Sequence, residues 1–462
     1  MTFSPELADI RFGCGLSPGV APPQSVDRML EALRSRDEMA ARFPIPLFSE
    51  FHPRIAEHRQ AKIRQRKAAG TDDEAALSDQ ARALGIAASQ DMLKWYGQTV
   101  MRWTHTSSGL RERLVTFWTD HFTAVGKLGL FRNAGSPFVE EIIRPSITGR
   151  FADMLIAVTT HPMMVQFLDQ QVSVGPDSVA ARRAKKRKLG LNENLAREVL
   201  ELHTLGVGGA YTQTDVRELA ELLTGLTINN DWGYSFFPRR SQPGPETVLG
   251  KTYGGDPSRI EAIHEVLRDL AVHPATASHI ARKLAVHFVS DDPDPALIGH
   301  LTSRYAETEG DLMAVYAALL EHPAAWQPEL SNVKPPFSFI ASACRALAVE
   351  AAQMATFKPN QVAHRMVVPG TLMGQHWQRA PGPDGWPEED SNWITPQGLS
   401  ARVRWAMTAP RLLRPDLPDP KDFVGEALGG YASEPVRFAA AAAETRAEAV
   451  GLVLSAPAFQ RR

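Results

Sequence analysis

Between Ala75 and Thr104 apolar residues recur at Leu77, Ala81, Leu84 and Ala88, then at Met92, Tyr96, Val100 and Trp103. Spacings of three and four keep one side of an α-helix apolar, so the stretch fits one long amphipathic helix. The same period runs through Leu110–Phe122, Ala134–Ile147 and Phe151–Thr160. Glu50–Ala69 is so highly charged that it reads as a solvated helix, and the Ala-rich tail Glu434–Leu454 is strongly helical. Two stretches break the pattern. Asn229–Gly255 holds Trp232, Tyr234, Phe236, Phe237 and Tyr253 among prolines and glycines, and Pro369–Thr395 is irregular throughout. The chain therefore reads as mainly α, a large multi-helix domain with one or two aromatic-rich irregular excursions, the first suited to a short β-hairpin near 232–253. A single domain over 1–462 is expected; the alternative is two helical subdomains, 1–255 and 256–462.

Several function classes are excluded early. A length of 462 residues allows a sizeable core, and 44% hydrophobic with 22% charged residues is an ordinary globular balance. The formal net charge of -2 supplies no field toward nucleic acid. The basic run Arg182, Arg183 and Lys185–Lys188 reads as a solvated loop. Two cysteines, Cys14 and Cys344, exclude a disulfide framework and argue against cysteine-bound zinc. No apolar stretch reaches membrane-spanning length, and Met1–Ile10 lacks a secretory signal, so a cytoplasmic location is expected. Gly15-Leu16-Ser17-Pro18-Gly19 has the letters of a nucleophile elbow, but Pro18 has no N–H to offer an oxyanion.

The densest polar motif is Gly190–Gln213. Asn192 suits a helix N-cap, Glu193 suits the positive helix end, and Gly206 suits the C-cap. At about 100° per residue, Asn194, Arg197, Glu198 and Glu201 share one face while His203 falls on the apolar side. Two readings of that face stand. Glu198 and Glu201 act as acid and base or as oxygen ligands to a divalent metal, or Arg197 simply pairs with Glu201 on a surface. Thr212 and Asp215 form a capping box for the next helix, which ends at Gly225.

His121, in Phe117–Phe122, and His287, beside Phe288, could each bring a ligand from another helix. Gly382-Pro383-Asp384-Gly385-Trp386-Pro387 is a turn by its chemistry. Trp386 and Trp393 near Asp384 make either a stacking platform for substrate or an anchor for the loop.

These motifs resemble a bacterial family catalogued as domain of unknown function 1800. The resemblance runs from Arg11–Ser17 through Trp118–Phe122, Gly190–Gln213 and Leu223–Gly225, then Ala281–Val289 and Gly382–Pro387 to Pro457–Arg462. It implies a mainly helical fold, no established activity, and frequent encoding beside a sulfatase or alkaline-phosphatase type protein, many of which carry a twin-arginine export signal. Many members have a His-Glu or His-Asp pair where this chain has Ser241-Gln242.

Three functions are expected in turn. The first is a hydrolase acting on a glycan or other polymer, with Glu198, Glu201, His121 and Asp384 catalytic and Asn194, Arg197, Trp386 and Trp393 binding substrate. The second is a non-catalytic partner or maturation factor for the co-encoded phosphatase-like protein, periplasmic only if exported with it. The third is a metal-binding protein using His121, Glu198, Glu201 and His287. Neither nucleic-acid binding nor membrane insertion is expected.

Overall fold

The computed structural model describes residues 3–184 and 189–462; most of the basic run, Lys185–Lys188, lies outside them. The long apolar repeat is one helix, Glu74–His105 (α2), packed against Phe48–Lys67 (α1). The charged sequence of α1 hides a buried stripe of Phe48, Phe51, Ile55 and Ala61, so only its other face is solvated. Gly109–His121 (α3) follows. Asn194–Glu198 (α4) widens into a π-helical turn over Val199–Thr204, and Gln213–Leu222 (α5) comes next. The helices that matter for the site in the second half are Pro274–Phe288 (α6), Pro336–Ala346 (α7), Pro396–Thr408 (α8) and Arg446–Ser455 (α9).

The protein is mainly α, with two small antiparallel hairpins among the described residues. Leu226–Ile228 (β1) pairs with Tyr234–Phe236 (β2), and Gly244–Val248 (β3) with Lys251–Gly255 (β4). The first aromatic-rich excursion holds three of these four strands, and β1 runs just ahead of it. The second hairpin turns through Leu249 and Gly250, both at positive φ, as a two-residue turn between right-twisted strands requires. The N–H of Leu249 donates to Asp215 Oδ1 (2.8 Å), which ties the hairpin to α5. The Ala-rich tail is helical as expected, but in two helices. It breaks after Ala442 and restarts at α9, because the Thr445 hydroxyl accepts the Glu448 N–H and caps a new helix.

Buried side chains form two clusters. One extends from Leu7 to Trp326 and passes through residue 255 without interruption, with Val248, Tyr253 and Ile263 all inside it. The other gathers α7, α8 and α9 around Phe339, Trp405 and Leu454. Helix α2 serves both, giving Trp95 to the first and Tyr96, Val100 and Trp103 to the second. A cavity of about 140 Å³ is walled from both sides, by Val115 and Phe138 of the first cluster and Trp103 and Phe337 of the second.

Candidate active site

Helix α3 supplies one wall of the cavity. Glu112, Val115, Thr116, Thr119 and Asp120 line it, a run of three- and one-residue steps that marks a single helical face, and Thr123 continues the wall just past the helix end. Four charges in the wall are already spoken for. Arg144 forks onto Glu112 (2.5 and 3.0 Å) and Asp37 (2.6 and 3.1 Å), and Arg102 holds Glu140 (2.7 and 3.1 Å). These bidentate pairs fix the wall.

The loop 382–393 closes over Asp120. The Trp386 N–H donates to Asp120 Oδ1 (2.9 Å). Gly385 sits at φ 84°, and a Cβ there would lie 2.7 Å from both the backbone oxygen and Oδ2 of Asp120. Only glycine permits both that backbone and that approach. Trp386 and Trp393 line the cavity with ring centroids 5.9 Å apart, and the Trp393 indole N–H donates to Pro387 O (3.0 Å). Trp393 therefore anchors the loop and walls the cavity at once.

Helix α6 completes the site. Lys283 and His287 are one turn apart, and both act on the loop. His287 Nδ1 bonds Glu388 Oε1 at 2.8 Å, while Nε2 is buried without a partner among the described residues. Burial pushes the imidazole down to about 4, and the His287 contact holds Glu388 down at about 2 despite its burial. Taken as a neutral imidazole donating from Nδ1 to an ionised carboxylate, the pair leaves the Nε2 lone pair free. Asp120 is driven the other way. Burial, reinforced by the charges of Glu388 and Asp384, raises it to about 7 against the opposing effects of the Trp386 N–H and Lys283. Burial also lowers Lys283, which the charges of Asp120, Glu388 and Asp384 counter.

The residues expected from the sequence fall into three places. Trp386, Trp393 and His287 line the cavity. His121 does not. It points to the opposite side of α3, packed on Phe122 (4.5 Å) and Trp118 (5.3 Å), with Nε2 3.3 Å from His203 O. Burial lowers it far below the usual histidine range. His203 is likewise a core residue, 5.1 Å from Phe122, lowered to about 3 by burial. The polar face of α4 lies outside the cavity. Arg197 pairs with Glu201 and Glu193 (3.3 Å each) and donates to Gln213 (3.0 Å), while Asn194 is exposed. Glu198 is left out of this network. Burial and the charges of Glu201 and Asp384 raise it to about 6. Asp384 is exposed on the loop, acting on Glu198, Asp120 and Lys283 through its charge.

The proposed ligands His121, Glu198, Glu201 and His287 do not meet. Among the described residues no three His, Cys, Asp or Glu side chains are grouped to hold a metal ion. At the Ser241-Gln242 position, Ser241 donates to Thr224 O (2.9 Å) and Gln242 to Asp177 (3.1 Å), both structural contacts.

Asp120, Lys283, Glu388 and Arg462, all at or beside the cavity, are not among the expected site residues. Asp120 was within reach. The polar positions Glu112, Thr116, Thr119 and Thr123 share its face, whereas His121 shares the aromatic one. Glu388 and Arg462 carry no local signal, since a loop and a remote segment bring them in.

Comparison of the chain with curated proteins and with solved structures gives no match. A family model does match, over residues 2–461 and so over nearly the whole chain: the protein belongs to the family described as "Protein of unknown function (DUF1800)".

Proposed function

We propose that this protein is an acid–base enzyme, a hydrolase, that works on a small molecule or one terminal group held in the cavity. Asp120 and the His287–Glu388 pair are its working groups. The observation that carries the reading is the sharing of one cavity by a carboxyl poised near neutrality and a neutral imidazole with a free Nε2. Opposite shifts on neighbouring groups are how one site holds both an acid and a base. Nε2 of His287 takes a proton from an attacking water, Glu388 steadies the imidazolium that forms, and protonated Asp120 gives its proton to the departing oxygen or nitrogen. Trp386 and Trp393 hold the substrate's apolar part. A space of about 140 Å³ compares with the roughly 150 Å³ that holds one benzene. A polymer therefore enters by an end group only.

The test is turnover of chromogenic ester, amide, glycoside and phosphoester panels between about pH 5 and 9. Activity should fall by about 10²-fold or more in Asp120→Asn and in His287→Gln while both proteins keep the wild-type fold by circular dichroism. Turnover that persists undiminished in both variants refutes the assignment.

A second reading, a partner for a co-encoded sulfatase or alkaline-phosphatase type protein, is favoured by one surface. Val368 and Leu372 on one short helix, with Leu399 and Val403 on the adjoining α8, are exposed at i, i+4 spacing. Co-elution of the two purified proteins, abolished by Leu372→Glu with Val403→Glu, tests it; separate elution of the unaltered pair removes it.

A further inference from the structure

Residues 332–334 run antiparallel to 460–462. Lys334 N donates to Gln460 O (2.8 Å), Arg462 N donates to Asn332 O (2.8 Å), and Val333 stands opposite Arg461. Side chains alternate across such a pair. Asn332, Lys334, Gln460 and Arg462 therefore share one face, and all four are buried. Arg461 turns to the other face, where it meets Asp390 (3.3 Å) at the surface.

The buried face carries two cations, and two more join it. Arg402 of α8 donates to Lys334 O (2.7 Å) and Gln460 Oε1 (3.0 Å), and the charge of Arg113 from α3 reaches both Lys334 and Arg462. Their polar atoms are poorly satisfied. Arg113 keeps Nε and Nη2 without partners, Arg402 and Arg462 each keep Nε, and the Lys334 ammonium lies over the Phe459 ring at 4.2 Å. None of the four is in an ion pair among the described residues, whereas buried Arg102, Arg144 and Arg345 each hold a carboxylate. Mutual repulsion adds to burial in pulling Lys334 down to about 7. Arg462 lines the cavity beside His287 and Glu388.

The charges of Glu388 and Asp390 act on Arg462, and that of Glu388 on Arg113, from beyond ion-pair distance. Buried charge without a paired carboxylate is costly, and guanidinium is the side chain best shaped for carboxylate or phosphate oxygens. We propose that the cavity receives a small organic anion whose carboxylate or phosphate group seats on Arg462, with Arg113, Lys334 and Arg402 reinforcing the field behind it. The rest of the molecule then lies between His287 Nε2 and Asp120. This rests on the acid–base reading only for what happens after binding, and it narrows that reading's substrates to acids and phosphorylated compounds.

The experiment uses the full chain with two probes, inorganic phosphate and benzoate, against chloride at equal ionic strength. Binding is read by calorimetry and by thermal melting, since a ligand of the folded state raises its melting temperature. At least one probe should bind saturably, and Arg462→Gln should weaken it about tenfold or more, as losing a charged hydrogen bond does. Binding of phosphate alone assigns a phosphoryl group, and binding of benzoate alone assigns a carboxylate. If Arg462→Gln fails to fold, Lys334→Met replaces it and should weaken binding in the same direction. The proposal is overturned if neither probe exceeds chloride, or if the folded variant binds as tightly as wild type. The unaltered protein separates the two readings. Anion binding without turnover of any reporter sinks the acid–base reading alone, and turnover of neutral reporters without anion binding sinks this one alone.

Discussion

The outer face of α4 and the cavity face of α3 are both rich in ionisable residues, yet they are opposite kinds of surface. On α4, Arg197 sits between Glu193 and Glu201 in half-exposed pairs one helical turn apart. Arg197 satisfies both of its partners, water screens these pairs, and only the half-buried Glu198 stands outside the network. Around Asp120 the groups are buried and shifted, and His287 Nε2 has no partner. Density of charge in a sequence therefore points as readily to a satisfied surface as to a site. What distinguishes the second region is unmet hydrogen-bonding and electrostatic demand, the usual mark of a functional site.

The contrast can be pressed hardest at Asp120. Asp120→Asn keeps an oxygen for the Trp386 N–H but removes the proton exchange, and should lower kcat by about 10²–10⁴-fold, measured on whatever reporter the wild type turns over. Gly385→Ala comes next. It strains a positive φ and drives a Cβ into Asp120, so urea unfolding should show a loss of about 1–3 kcal/mol. The corresponding change at Gly208, on the exposed turn after α4 where a Cβ meets nothing within 4 Å, should cost only the strain of its φ.

Acidity gives two signed expectations. His203, His279 and His287 are held down to about 3, 4 and 4 from an ordinary 6.5. Their contribution is complete above pH 6.5 and drains away as the pH falls toward those values, because the unfolded chain binds the protons first. Asp120 is raised from 3.8 to about 7, so its contribution is complete below 3.8 and is lost as the pH rises through 7. Denaturant melts at about pH 8 should therefore find Asp120→Asn more stable than wild type, with the gap closing only near about pH 4. A wild type that is the more stable at both would show that Asp120 is ordinarily acidic. Smallest of all, Glu201→Gln should shift stability by about 0.5 kcal/mol or less; a larger loss would mean α4 is not the screened surface described above.

Local pattern was enough for much of the fold. The repeat from Leu77 to Trp103 marks α2, and Thr212 with Asp215 caps α5 as its sequence demands. Gly206 and Gly225 take the positive φ that ends a helix. The failures have identifiable causes. The break in the alanine-rich tail went unread because a cap at Thr445 is a weak signal among so many helix formers. The π-helical turn over Val199–Thr204 adds a residue to the turn, so a fixed angle per step loses phase after Glu198. In the site the decisive choice was between neighbours. Histidine is the more familiar proton carrier, but at positions 120 and 121 only the aspartate faces the cavity. Glu388 and Arg462 could not be read at all, since their roles depend on which distant segments they meet.

The long helix that serves both clusters has a mechanical consequence. Trp95 is fixed in one cluster and Tyr96 through Trp103 in the other, all on a single rigid rod. Neither half can melt without stripping a wall from its neighbour, which is the condition for cooperative, all-or-none unfolding. The amides of Val100 to Trp103 should therefore be among the last to exchange with deuterium. Any opening of the two halves, such as release of a bound molecule would require, has to occur on the side of the 382–393 loop, because the rod forbids it elsewhere.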